Sequence, residues 1–151
     1  MRSLNKLLWI RRMILPARRW LLRRKGAEIH PSASVSLSAR LIGGQPGAIA
    51  IGAETLVAFK TLLLAREPDG RVRPIRIGRH CFIGGGSAIM PGVCVGDESI
   101  VAAGSVVLAD VPPRCIVGGN PARILRTGIE VGAYGRLPVA GENSRRFHEA
   151  D

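Results

Sequence analysis

From Ile77 onward, one aliphatic residue is followed by five mostly small or polar ones, and the cycle runs for six units without a break. The units begin at Ile77, Ile83, Ile89, Val95, Val101 and Val107. The fifth position of each is small or β-branched: Cys81, Ser87, Val93, Ser99, Ser105 and Val111. Upstream the same register reappears at Ile29, Val35 and Leu41, and again at Ile51, Val57 and Leu63. Two stretches interrupt it, Gly43 to Ala50 and Arg66 to Arg76. A constant period of six reads as a short strand plus a turn per unit, with the aliphatic residue pointing into a stacked core. Three units make one triangular coil of 18 residues, so about four coils fit between Ile29 and Pro112. The pattern predicts an all-β chain, a parallel β-helix in which each coil buries the next. An ordinary sandwich of short strands would not need that period.

Ahead of the repeat the pattern changes. Leu4 to Lys25 reads as an amphipathic helix with a break or kink at Pro16. Arg11, Arg18 and Lys25 recur at seven-residue spacing, as do Arg12 and Arg19, and Trp9 and Trp20 share a face if the helix stays nearly straight. Two roles stay open for residues 1–26. One is an anchor lying in the plane of an anionic membrane surface; the other is a helix packing its Leu/Trp face on the domain or on a neighbouring subunit. After the repeat, residues 127–151 read as an irregular C-terminal tail, leaving residues 27–126 as the domain.

Composition sharpens this division. The 151 residues include only 4% aromatics but 19 glycines, which suits tight turns better than a helical bundle. The net charge of +11 first suggests nucleic acid. Nine Lys/Arg and no acid fall in residues 1–26, however, so the remainder is nearly neutral. No nucleic-acid reading motif is present, and nucleic acid is not an expected partner. Three cysteines at 81, 94 and 115 show no metal-ligand spacing and read as reduced, structural thiols. Arginines break every apolar stretch near the N-terminus, so neither a secretory signal nor a spanning helix is expected. The expected location is cytoplasmic, peripheral at the inner face of the cytoplasmic membrane.

Pro74-Ile75-Arg76-Ile77-Gly78, Phe82-Ile83-Gly84, Pro91-Gly92-Val93, Ala103-Gly104-Ser105-Val106-Val107 and Gly119-Asn120-Pro121-Ala122-Arg123 together resemble the left-handed β-helix hexapeptide-repeat acyltransferases. The likeness is strongest to the small bacterial O-acetyltransferases of sugars and surface polysaccharides, and covers roughly residues 29–126. The left hand of the coil follows from this resemblance alone. So do a homotrimer and acetyl-CoA bound in a groove between adjacent solenoids. Gly85 and Ala103 match positions where the pantetheine arm lies along the backbone. Arg123 and Arg126 match positions near the nucleotide phosphates, where a guanidinium suits the geometry. A Lys common in the family just before Asp110 is Ala109 here.

Acetyl transfer to a hydroxyl requires a general base. The family places a His, usually in His-Asp, at the start of the second interruption, where this chain has Arg66-Glu67. Arginine stays protonated and cannot be that base. Residues 49–79 contain no His, so a shifted alignment does not restore it. Glu67 and His80 remain as candidate catalytic residues. Phe82 matches a family aromatic of the acceptor pocket, and Arg66 stands on the same substrate side. His30 reads as structural, and His148 falls in the tail. The expected activity is CoA-dependent acetylation of a sugar or glycan hydroxyl, without a metal. The alternatives are a catalytically inactive trimeric scaffold and a serine-acetyltransferase-like enzyme with another acceptor.

Overall fold

The computed structural model describes residues 20–23 and 26–138 of the chain. Each coil supplies three short strands. The first holds β1 (Ala27–Ile29), β2 (Ser34–Val35) and β3 (Arg40–Ile42), and the second β4 (Ile49–Ile51), β5 (Leu56–Val57) and β6 (Leu62–Leu64). The third holds β7 (Ile75–Ile77), β8 (Phe82–Ile83) and β9 (Ala88–Ile89). The fourth holds β10 (Cys94–Val95), β11 (Ile100–Val101) and β12 (Val106–Val107). A partial fifth turn follows with β13 (Cys115–Gly119), which folds back on itself into β14 (Ala122–Thr127). Three sheets result. Face I is β1-β4-β7-β10, face II is β2-β5-β8-β11-β13-β14, and face III is β3-β6-β9-β12. Every pairing is parallel except β13 with β14. The chain is therefore a parallel β-solenoid of about four turns.

The period of six has two causes, one at each buried position. The aliphatic first residues stack through the interior: Ile29, Ile51, Ile77, Val95 and Val111 behind face I, and Val35, Val57, Ile83, Val101 and Val117 behind face II, all buried. Leu63, Ile89 and Val107 do the same behind face III, while Leu41, in the first coil, is half-buried and packs on the core as Leu22 does. Each such side chain withdrawn from water contributes about 1.5–3 kcal/mol. The fifth residues sit at the corners, where space is short and the backbone turns, and they staple coil to coil. Thr55 Oγ1 donates to the Gly78 carbonyl (2.7 Å), Cys81 Sγ to Gly96 (3.2 Å) and Ser99 Oγ to Pro112 (2.7 Å). At the next corner Ser87 Oγ reaches the Ala102 carbonyl (3.0 Å). Among the described residues no buried side-chain nitrogen or oxygen lacks a partner.

Several boundaries differ from the sequence reading. Strands resume at Ile49 and Ile75, so the interruptions are shorter, residues 43–48 and 65–74. Val111 is not a fifth-position residue. It bridges Val95 and opens the next turn, because it stands only four positions after Val107 where the period would require six. β14 runs through Thr127, and the segment beyond it is docked on the solenoid: Ile129 is buried, and a short 3₁₀ turn (Ala133–Gly135) lies across face II. Most of the predicted N-terminal helix and all of residues 139–151, including His148, lie outside the described residues. Residues 20–23 are helical. They belong with the domain, since Leu22 packs on the core and the Arg23 guanidinium donates to the Ile29 carbonyl (2.6 Å).

Candidate functional site

The predicted site residues are distributed over the three corners of the prism. Between faces I and II, the third corner residue of every coil after the first adopts a left-handed backbone, at Glu54, His80, Glu98 and Arg114. Stacking places these side chains in one column. His80 Nδ1 lies 3.4 Å from Glu54 Oε2 in the coil above, and Arg114 Nε lies 3.9 Å from Glu98 Oε2. Beside them, Arg79 pairs with Asp97 at 3.1 Å. In coil one the column begins at Ser32, whose Oγ accepts from the Glu54 amide (2.9 Å), and His30 lies two residues before it, its Nδ1 accepting from the Ser32 amide (3.2 Å).

Between faces II and III, the outward column reads Leu37, Phe59, Gly85 and Ala103 down the stack. Here the structure brings Gly85 and Ala103 together: the Gly104 amide donates to the Gly85 carbonyl (2.9 Å). Gly85 itself is not bare, because the Phe59 ring rests on it. A Cβ at residue 85 would stand 2.7 Å from Phe59 Cζ. The open backbone lies next to it, since nothing comes within 4 Å of a Cβ built on Gly86 or Gly104. Arg123 pairs in register with Gly118 at the foot of this corner, whereas Arg126 pairs with Ile116, a strand's length toward the other corner. Both arginines are exposed.

The two insertions emerge at the third corner, between faces III and I. In residues 65–74 a bridge between Arg66 and Val72 closes a small hairpin. Glu67 is engaged by two guanidinium groups, Arg71 at 3.4 Å and Arg73 at 3.4 Å, and Arg71 also holds Asp69 at 2.6 Å. Arg66 is exposed and lies along the loop of the preceding coil, with its Cδ 3.5 Å from a Cβ built on Gly44. Within one chain, then, Arg66 and Glu67, His80, and the Gly85–Ala103 pair occupy three different corners.

Phe82 projects from face II. It lies in a cavity of about 530 Å³ together with Leu56, Ile100, Tyr134 and Arg136. The cavity is made by the segment crossing face II, which is fixed by the Tyr134 amide on the Glu54 carbonyl (2.7 Å) and Tyr134 Oη on the Ser32 carbonyl (3.2 Å). His80 is not part of this lining. All three cysteines are free; Cys81 and Cys115 are buried and Cys94 is exposed. Burial pushes the Cys81 thiol up to about 11.

Sequence reasoning missed three residues. Phe59 was within reach, since it stands two residues after Val57 in register with Gly85 and Ala103. Glu54 was likewise one 26-residue offset above His80, an offset fixed by the pairing of Leu56 with Phe82. Tyr134 carried no periodic signal at all.

Residues 74–109 match the family described as hexapeptide repeat of succinyl-transferase. Among solved structures the chain is similar to the hexapeptide-repeat containing acetyltransferase VCA0836 of Vibrio cholerae. Against its complex with acetyl coenzyme A the identity is 35% and the TM-score 0.63, covering 68% of this chain and 61% of that one. Against a second structure of the same protein the identity is 30% and the TM-score 0.56, covering 74% and 80%. A galactoside acetyltransferase in complex with coenzyme A is 25% identical at a TM-score of 0.51, covering 67% and 64%. In Bacillus subtilis, the protein named "Putative acetyltransferase YvoF" is 39% identical over 89 residues, 57% of this chain and 52% of that protein. The chain spans about half the length, or less, of the curated relatives it matches.

Proposed function

Because the chain belongs to the hexapeptide-repeat acetyltransferases, we propose that it transfers an acetyl group from acetyl-CoA to a hydroxyl of a sugar or surface-glycan precursor. One observation carries this reading: the open backbone at Gly86, Ala103 and Gly104, with a guanidinium at its foot in Arg123 and an aromatic wall at its head in Phe59. An extended pantetheine arm needs a surface without side chains, and a phosphate end needs a cation. The acetyl coenzyme A bound to VCA0836 and the coenzyme A bound to the galactoside acetyltransferase support acetyl-CoA as donor, and the latter's name supports a sugar acceptor.

In the reaction the acceptor hydroxyl attacks the thioester carbonyl and its proton passes to a base; the C–S bond then breaks, the base returns that proton to the sulfur, and CoA leaves as the thiol. Two candidate bases differ in their surroundings. The Glu67 carboxylate is committed to Arg71 and Arg73. His80 has the Glu54 carboxylate 3.4 Å from Nδ1, so a hydrogen bond formed there would orient the ring and leave Nε2 for a hydroxyl, the arrangement of an oriented base. His80 and Gly86 belong to the same coil. In a homotrimer with its axis parallel to the solenoid, rotation therefore brings the His80 of one copy level with the Gly86 corner of the next. That supports a site shared between copies, with His80 as the base where Arg66 has displaced the family histidine.

The test is thermal stabilisation by acetyl-CoA and by free CoA, followed by thiol release with a panel of mono- and disaccharide acceptors. Ligand at about a hundred times its Kd adds about 2.7 kcal/mol. No stabilisation by either form would remove the enzyme reading. It would leave the second one, a trimeric scaffold without catalysis, which the arginine-bound Glu67 beside Arg66 favours.

A further inference from the structure

We propose that Phe59 sets the size of the acyl group the protein accepts. This rests on the donor groove proposed above, and adds to it the residue that ends the groove. The corner between faces II and III changes character abruptly along its length. In coils three and four it carries Gly85, Gly86, Ala103 and Gly104; in coil two it carries Phe59 and Lys60, and in coil one Leu37 and Ser38. The Phe59 ring is 62% exposed although it is apolar, and what it does cover is the backbone of Gly85. One ring face is spent on that glycine and the other faces solvent at the upper end of the open strip. Any side chain at residue 85 would displace the ring, since Cζ, Cε1 and Cε2 all crowd the site where a Cβ would be. Glycine at 85 is therefore what lets the ring lie down across the groove.

Direction follows from charge. Arg123 stands at the foot of the strip, so a donor with its phosphates there runs upward past Ala103 and Gly86 and presents its thioester toward Phe59. Adjacent coils are about 4.8 Å apart. The ring reaches down from coil two onto the Gly85 backbone, so a carbonyl level with His80 and Gly86 in coil three would have the ring edge less than one coil spacing away. An acetyl methyl fits in that interval. Each further methylene must pass the ring or push it off Gly85, and a single methylene in a closed pocket is worth about ten-fold or more in selectivity.

The experiment measures, by calorimetry, the affinities of free CoA, acetyl-CoA, propionyl-CoA and butyryl-CoA for the full chain and for Phe59→Ala, Phe59→Leu and Gly85→Ala. The wild type is expected to weaken by about ten-fold per added methylene, about a hundred-fold from acetyl- to butyryl-CoA. Phe59→Ala should bind butyryl-CoA at least ten-fold more tightly than the wild type does, with Phe59→Leu intermediate, and this gain should exceed any change in free-CoA affinity by about ten-fold. Gly85→Ala, which lifts the ring without removing it, should also relax the discrimination. Equal affinities across the acyl series in the wild type, or a Phe59→Ala change shared equally by free CoA, would overturn the role of Phe59 while leaving the groove in place. Loss of binding for every ligand in every variant and the wild type alike would instead overturn the groove and this inference with it.

Discussion

Glu54 and His80 are 26 positions apart in the chain and 3.4 Å apart in space, because the 65–74 insertion lengthens one coil without changing which corner residues stack. The pairing can be separated from the fold by the choice of substitution. His80 has a φ of +54°, so His80→Asn, which tolerates the left-handed region, removes the imidazole and spares the turn. Acetyl transfer in His80→Asn is expected to fall by about 10²–10⁴-fold in kcat, with the KM for acetyl-CoA little changed. Glu54→Gln should also lower kcat, and Glu67→Gln should leave it within a few-fold. A collapse in Glu67→Gln with full activity in His80→Asn would reverse the assignment.

The two glycines flanking residue 85 should respond differently to alanine. A Cβ at Gly84 would lie 2.5 Å from the Ala103 amide nitrogen, a backbone atom of the next coil that has nowhere to move. Gly84→Ala should cost about 1–3 kcal/mol by overpacking in urea unfolding. Gly86 has open space but a φ of +71°, so Gly86→Ala should cost about 1–2 kcal/mol through the backbone alone. If the donor groove is right, Gly86→Ala also weakens CoA binding where Gly84→Ala, compared at equal folded fraction, does so less.

Cys81 makes stability depend on alkaline pH. Its folded-state pKa is raised by burial to about 11 from an ordinary 9.0. Below pH 9 the thiol is protonated in both states and contributes nothing to the pH dependence. Between pH 9 and 11 the unfolded chain ionises while the folded one does not, so stability falls with rising pH, by about 2–3 kcal/mol in all. The difference in melting temperature between wild type and Cys81→Ser should therefore shift in favour of the variant over that interval. Serine suits the position, as Ser99 already makes the equivalent bond one coil below. A thiol reagent at pH 8 should label Cys94 promptly, and Cys81 and Cys115 only on unfolding. Rapid labelling of all three would contradict the burial.

The C-terminal segment is held on face II at Gly135, where a Cβ would come 2.5 Å from Phe82 Cβ. Gly135→Ala should detach it, seen as faster tryptic cleavage after Arg136 with little change in the global unfolding midpoint. Unchanged cleavage would mean that the segment holds without this contact.

A membrane role for the basic arm is tested by removing residues 1–19 only, because Leu22 and Arg23 also cap the first coil. If the arm is an anchor, co-sedimentation with phosphatidylserine-containing vesicles should drop sharply in the truncated chain and in high salt. Equal partitioning of both chains would leave the packing helix as its role.

How much of this was legible depended on where the period of six held. Ile83, Val101 and Ile89 announce their burial because neighbouring coils are 18 residues apart there, and the fold, its sheets and its core follow from that spacing. Val111 was misplaced because the last corner is two residues short, a change too small to disturb the local pattern yet enough to move every later residue by one corner position. The site was read less well for a related reason. Its residues meet through stacking at offsets of 22, 26 and 18 that differ from coil to coil, shown by Ala27 with Ile49, Ile49 with Ile75 and Arg76 with Cys94. Glu54 beside His80 and Phe59 over Gly85 depend on the 26-residue offset, which the runs Ile51/Val57/Leu63 and Ile77/Ile83/Ile89 contain but which shows only when they are aligned across the insertion. Tyr134 lies outside the repeat, and its place on Ser32 is a tertiary contact without a local cause.

Both insertions leave the prism at the same edge and rejoin it with the sheets still in step. That edge behaves as a splice junction: chain length can be added or removed there without shifting any rung above or below. Peptides of foreign sequence set between Glu67 and Arg71, whose backbones already close on one another at 2.8 Å, should be carried by the solenoid as side branches on a rigid post. The other two edges, pinned by hydroxyl and thiol staples at every level, offer no such freedom.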